Sequence, residues 1–241
     1  MKTLLLTLFL STSIQANPMY AKESDPTILT HSEMGELIKD IEEVYPDIEI
    51  NFENDLLKNA TATHHGAKRN IIVHAGLGKA KYMSKDHFSL ILCHEVGHHF
   101  GGAPMMEGEH NYWASDEGQA DYFGAKECMR KVLRPHNEKI LVKPIITKQC
   151  RDSYPQEEEE AQICIRTAKA AEEFGKRDFL LNHYDQEPSE IDYKEILLMN
   201  AIPVERSFRF PFEQYPSSQC RTDIMFQAAL QSNYKPKCWF R

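Results

Sequence analysis

Phe88-Ser89-Leu90-Ile91-Leu92-Cys93-His94-Glu95-Val96-Gly97-His98 begins as a largely apolar run and ends on two imidazoles and a carboxylate. Residues four apart on a helix are turned about 400°, or roughly 40° net, so His94 and His98 point the same way. Glu95, next to the first imidazole, is placed to act as general base on a metal-bound water. His99 falls about 140° around the helix from His94 and is not a ligand. The apolar lead-in suits a buried helix, and Gly101-Gly102 supplies its stop. A buried helix with hydrogen-bonded histidines and no metal is the competing explanation.

A mononuclear catalytic zinc needs a third protein ligand and one position left for water. Ala114-Ser115-Asp116-Glu117-Gly118-Gln119-Ala120-Asp121 offers one. This segment reads as a second helix with Ser115 or Asp116 as N-cap. Glu117 and Asp121 share a face, so Glu117 can ligate the metal while Asp121 accepts the free N–H of a ligand histidine. An acidic helix start favoured by the macrodipole explains the same residues without chemistry.

With both segments in view, the chain resembles the gluzincin metallopeptidases of the HtpX and CaaX-prenyl-protease type. That family pairs H-E-x-x-H with a downstream E-x-x-x-D whose fourth residue is usually Ala, as in Glu117-Gly118-Gln119-Ala120-Asp121. Its third landmark, T-H-P-x-x-x-x-R, has a looser counterpart in Gln214-Tyr215-Pro216-Ser217-Ser218-Gln219-Cys220-Arg221, where Tyr215 stands in place of His. The resemblance covers roughly residues 70 to 130, and more loosely 213 to 230. It implies an α+β, zincin-like fold, mostly helical, with a small antiparallel or mixed sheet beside the active-site helix. It also implies one Zn2+ per chain on His94, His98 and Glu117, with Asp121 behind a ligand, and an endopeptidase using Glu95 as base. Tyr215 and Arg221 would then steady the oxyanion. Protein or peptide substrates would bind extended along a sheet edge, for which Asn70 to Gly76 is the candidate strand.

The ends and composition set further bounds. Met1-Lys2-Thr3, the apolar Leu4 to Leu10 and the segment ending at Ala16 read as a signal peptide over residues 1–16. Residues 17–30 read as a flexible N-terminus and 31–241 as a single zincin-like metallopeptidase domain. No other run approaches membrane-spanning length, so an exported chain, periplasmic or extracellular, is expected. The net charge of −8 becomes one unit more negative when Lys2 is removed, which argues against nucleic acid as a partner. Six cysteines in an exported chain suggest disulfides. Proximity pairs Cys220 with Cys238, and Cys128 with Cys150 or Cys164, leaving Cys93 as an apolar thiol. No C-x-x-C pair supports a structural zinc.

Along the rest of the chain, a helix is expected from Ser32 until Pro46 stops it, then a strand through Ile48, Ile50 and Phe52. His64-His65 falls in a loop-like stretch. Met105, Met106 and Trp113 lie in a loop that can overhang a cleft, with His110 as a further donor. The second metal helix runs to Leu133. Another helix spans Gln156 to Phe174 with Gly175 beyond it. Residues 182 to 216 read as extended loops, and Ser217 or Ser218 caps a last helix reaching Leu230. Two other functions remain open: a weakly active or inactive relative acting as a binding or chaperone factor in the cell envelope, and a purely structural histidine cluster.

Overall fold

The long apolar lead-in to His94 becomes the central helix, α2 (Lys85–Phe100). Every residue from His87 to His98 is buried, so this helix has no solvent face and its sequence shows no amphipathic stripe. Fully burying Phe88, Leu90 and Leu92 contributes about 1.5–3 kcal/mol each. Ser84 caps it, accepting the His87 N–H through its hydroxyl. The computed structural model describes residues 28–107, 112–133, 140–182, 216–232 and 239, with side chains of the long sixth helix described to residue 178.

Helix α1 (His31–Val44) starts at a capping box in which Thr30 and Glu33 satisfy each other's backbone N–H groups. It leads into a three-stranded sheet of β1 (Ile48–Glu53), β2 (Ala60–His65) and β3 (Lys68–His74), ordered β1-β3-β2. β3 pairs parallel with β1 and antiparallel with β2. A short 3-10 turn (Ala75–Lys79) then delivers the chain to α2. Two expectations are corrected here. His64-His65 is not loop but the end of β2, and the strand around Asn70 is the middle of the sheet, not its edge. Ile71 and Val73 are fully buried, which suits a central strand, whereas the Ala/Thr/His sequence of β2 suits an edge.

After α2 come α3 (Glu117–Phe123), a π-helical turn (Gly124–Cys128) and α4 (Met129–Val132), which together reach the expected end at Leu133. The sequence reading missed α5 (Pro144–Ser153), which opens with Pro at its first position. Helix α6 (Glu158–Asn182) runs straight through Gly175, where a stop was expected. A side chain at Gly175 would strike Thr222 of α7 (Ser218–Ala229), so this glycine permits close helix packing and does not end the helix. α7 is capped by Ser217.

The described structure is therefore mostly helical with a small mixed sheet. No helix among the described residues is long and apolar enough to cross a membrane. Cys93 bonds to Cys128 and Cys150 to Cys164, which corrects both the proposed Cys128 partners and the free Cys93. Cys220 is also disulfide-bonded, while Cys238 lies outside the described residues. So do the segment read as a signal peptide, the expected flexible N-terminus up to residue 27, His110, Tyr215 and, of the 182–216 stretch expected to form loops, residues 183–215.

Candidate metal centre

Two glycines bring the site helices together. A Cβ at Gly97 of α2 would collide with the main chain of Ala120 on α3, and one at Gly124 would press on the backbone of Cys93 and His94. The Cys93–Cys128 disulfide ties the same pair of elements covalently. Because of this close approach, Glu117, in the first turn of α3, meets the imidazoles of α2. Asp116 caps α3 by accepting the Gly118 N–H.

His94 Nε2 and His98 Nε2 are 3.1 Å apart. Glu117 lies 3.3 Å from His94 Nε2 through Oε2, and 3.7 Å from His98 Nε2 through Oε1. A tetrahedral shell with ligands at about 2.0–2.1 Å places neighbouring ligand atoms about 3.3 Å apart, and these separations are of that order, with a different Glu117 oxygen nearest each imidazole. The proton inventory agrees. His98 Nδ1 lies 2.8 Å from the Ser115 carbonyl, which can only accept, so Nδ1 carries the hydrogen and neutral His98 turns a lone pair inward. His94 Nδ1 faces Asp121 Oδ1 at 2.8 Å and is oriented the same way. Glu117 Oε2 is buried and makes no hydrogen bond. The three side chains turn their polar atoms toward one another, and with His94 neutral each would offer a lone pair to a cation placed between them.

His94, Glu95 and His98 form a buried group that could hold a metal ion. Glu95 is the more distant carboxylate, 4.0 Å from His94 Nε2, so Glu117 fits a ligand and Glu95 a base. Glu95 Oε2 accepts the Ala62 N–H of β2 at 2.7 Å. That bond points away from β3, and main-chain groups alternate sides along an edge strand. Ala60 and His64 therefore turn their backbone groups away from β3 as well.

Electrostatics separate the two carboxylates. Burial pushes the Glu95 carboxyl up to about 7, overriding the opposing pull of His94. Burial acts on Glu117 too, but His94 and Arg221 hold it down at about 2. His94 is also desolvated, yet Asp121 and Glu117 carry its protonated form to about 10 when no metal is present. Burial and the His94 charge take His98 down to about 4.

The structure brings His94, Glu95, His98, Glu117, Asp121 and Arg221 together. Arg221, near the start of α7, closes on both oxygens of Asp121 at 2.8 Å and stands over the Phe174 ring. Its Nη2 is 3.4 Å from both His94 ring nitrogens and from Glu117 Oε2. Tyr215 lies outside the described residues. His99 turns away to Asn70 O, as its angle required. His74 pairs with Asp55. Trp113 stacks on both His64 and His99, making an aromatic wall at one end of β2.

Sequence reasoning missed Ser115, whose role is played by its carbonyl, and Phe174, Arg177 and Asp178 on α6. The spacing of these three, i, i+3 and i+4, was the available signal. No family model, curated protein or solved structure matches this chain.

Proposed function

We propose that the chain is an exported zinc endopeptidase of gluzincin type. The observation that carries this reading is the convergence of His94 Nε2, His98 Nε2 and Glu117 at separations a tetrahedral ion requires. Two imidazoles and one carboxylate are a ligand set typical of catalytic zinc. Zinc bound there would polarise a peptide carbonyl and lower the pKa of a bound water to about 7.

The chain's own residues supply the remaining steps. Glu95, buried beside the imidazoles but 4.0 Å from His94 Nε2, takes a proton from the attacking water and delivers it to the leaving amine. Asp121 fixes His94 through Nδ1, and Arg221 fixes Asp121. With its inner nitrogens committed in that way, Arg221 acts as a positioning residue and not as an oxyanion donor. The outward backbone of β2 offers an extended peptide a strand to pair with. The two disulfides fit an oxidising compartment and agree with the leader-like N-terminus.

The test is Glu95→Gln. The variant should bind zinc as the wild type does yet fail to cleave unfolded casein, and a chelator should abolish wild-type cleavage until zinc is restored. Turnover that survives Glu95→Gln would exclude this mechanism. A zinc-loaded wild type that binds unfolded protein without cutting it would favour the binding-factor reading.

A further inference from the structure

Three arginines are buried around the site helices, and two of them are neutralised bidentately. Arg221 closes on Asp121, and Arg166 forks onto Asp86 through Nε and Nη2 at 2.8 and 2.6 Å. Among the described residues Arg177, only 9% exposed, has no such bidentate partner. Among them its hydrogen bond runs from Nη2 to the Lys58 carbonyl at 2.6 Å, and its Nε is buried with no acceptor. A guanidinium has five N–H donors, and burying one with most of them unbonded is costly even with carboxylates nearby. Burial accordingly pulls Arg177 below its ordinary value, with the Asp178 and Glu95 charges opposing and the Arg221 charge adding to it.

Its location points to the group that would complete its hydrogen bonds. One face of α6 carries Phe174, Arg177 and Asp178. Phe174 lies against the His94 ring, and Asp178 Oδ1 is 3.6 Å from Arg221 Nη1. Lys58, whose carbonyl Arg177 holds, lies two residues before the start of β2, and Ala62 of β2 donates to Glu95. Arg177 therefore stands near the Ala60 end of β2, and the His64–Trp113–His99 stack stands at the other. A peptide pairing antiparallel to β2 runs from the stack toward Lys58, so the residues after its scissile bond approach Arg177. At about 3.4 Å per residue, the interval from Ala62 to Lys58 spans a few substrate positions.

We infer that Arg177 receives a carboxylate of the substrate placed about one to three residues beyond the scissile bond. Preferred substrates are thus acidic at that point or end there. The inference rests on the peptidase reading for the word scissile, but the binding step can be measured without turnover.

The experiment uses full-length Glu95→Gln protein and fluorescent peptides in matched pairs. One pair differs as C-terminal acid against amide, the other as internal Glu against Gln, and affinities are read by anisotropy. At least tenfold tighter binding of one acid member is expected, and which pair shows it tells chain terminus from side chain. Adding Arg177→Gln should bring that ratio close to one, whereas Arg177→Lys should keep part of it. Equal binding within both pairs, or a ratio unchanged by Arg177→Gln, overturns the inference. If Arg177→Gln does not fold, the lysine variant decides, because an undiminished ratio there shows that the guanidinium is not the receptor. Cleavage of the same peptides by wild type tests the peptidase reading separately, since carboxylate-selective binding without chelator-sensitive cleavage refutes that reading alone.

Discussion

Arg221 holds Asp121 through two nitrogens, each 2.8 Å from its own carboxylate oxygen, and Asp121 in turn holds His94 Nδ1 at 2.8 Å. This chain of contacts fixes the direction of the His94 ring, a proposed ligand, from a residue 127 positions away in sequence. Replacing Arg221 by Met should lower zinc affinity about 10–100-fold, as other losses of support behind a metal ligand do. It should also destabilise the fold by about 3–5 kcal/mol, because Asp121 is left buried without its cation. Competition with a chelating dye and denaturant unfolding measure the two effects. Unaltered affinity would mean that Asp121 positions His94 unaided.

Gly97 and Ala120 set the distance between the two site helices. At an unobstructed helical site, Gly→Ala stabilises by about 1 kcal/mol. Gly35 of α1 has open space around its missing side chain, and Gly35→Ala should follow that rule. At Gly97 the added methyl meets the Ala120 main chain, so Gly97→Ala should destabilise by about 1–3 kcal/mol and weaken zinc binding. Thermal melts of the two variants should shift in opposite directions.

Without metal, His94 holds a proton up to about 10, although a ligand imidazole must be neutral. Zinc uptake at pH 7 should therefore release about one proton, and affinity should rise with pH between 6 and 8. Calorimetric titration in buffers of different ionisation enthalpy reads the proton count. A count near zero would show that His94 is already neutral before the metal arrives.

The disulfides close loops of different length, 35 residues for Cys93–Cys128 and 14 for Cys150–Cys164. On the chain-entropy model their removal costs about 4 and about 3 kcal/mol. The Cys93→Ala/Cys128→Ala pair should also lower zinc affinity, since it joins α2 to the turn after α3. Cys150→Ala/Cys164→Ala should leave zinc affinity unchanged. Equal effects on zinc would mean that the first bridge has no role in holding the site together.

What could be read from the sequence followed local geometry. Helical spacing alone placed His94 with His98 and Glu117 with Asp121, because a four-residue interval fixes direction whatever the tertiary context. Contacts made through the backbone left no trace, as with the Ser115 carbonyl behind His98. Cys93 read as an apolar thiol because its partner, Cys128, is set by a helix crossing and not by sequence distance. Gly175 looked like a stop signal, yet the same residue type permits the close approach of α6 and α7. β2 was missed because Ala, Thr and His alternate too weakly in hydrophobicity to mark an edge strand, and the wrong strand was assigned that place.

The most direct measurement is anomalous diffraction at the zinc edge from crystals of the purified, zinc-loaded protein. One peak is expected per chain, about 2.0–2.2 Å from His94 Nε2, His98 Nε2 and a Glu117 oxygen, with Glu95 outside bonding range. A crystal without such a peak, or a peak that Glu117 does not reach, would contradict the site.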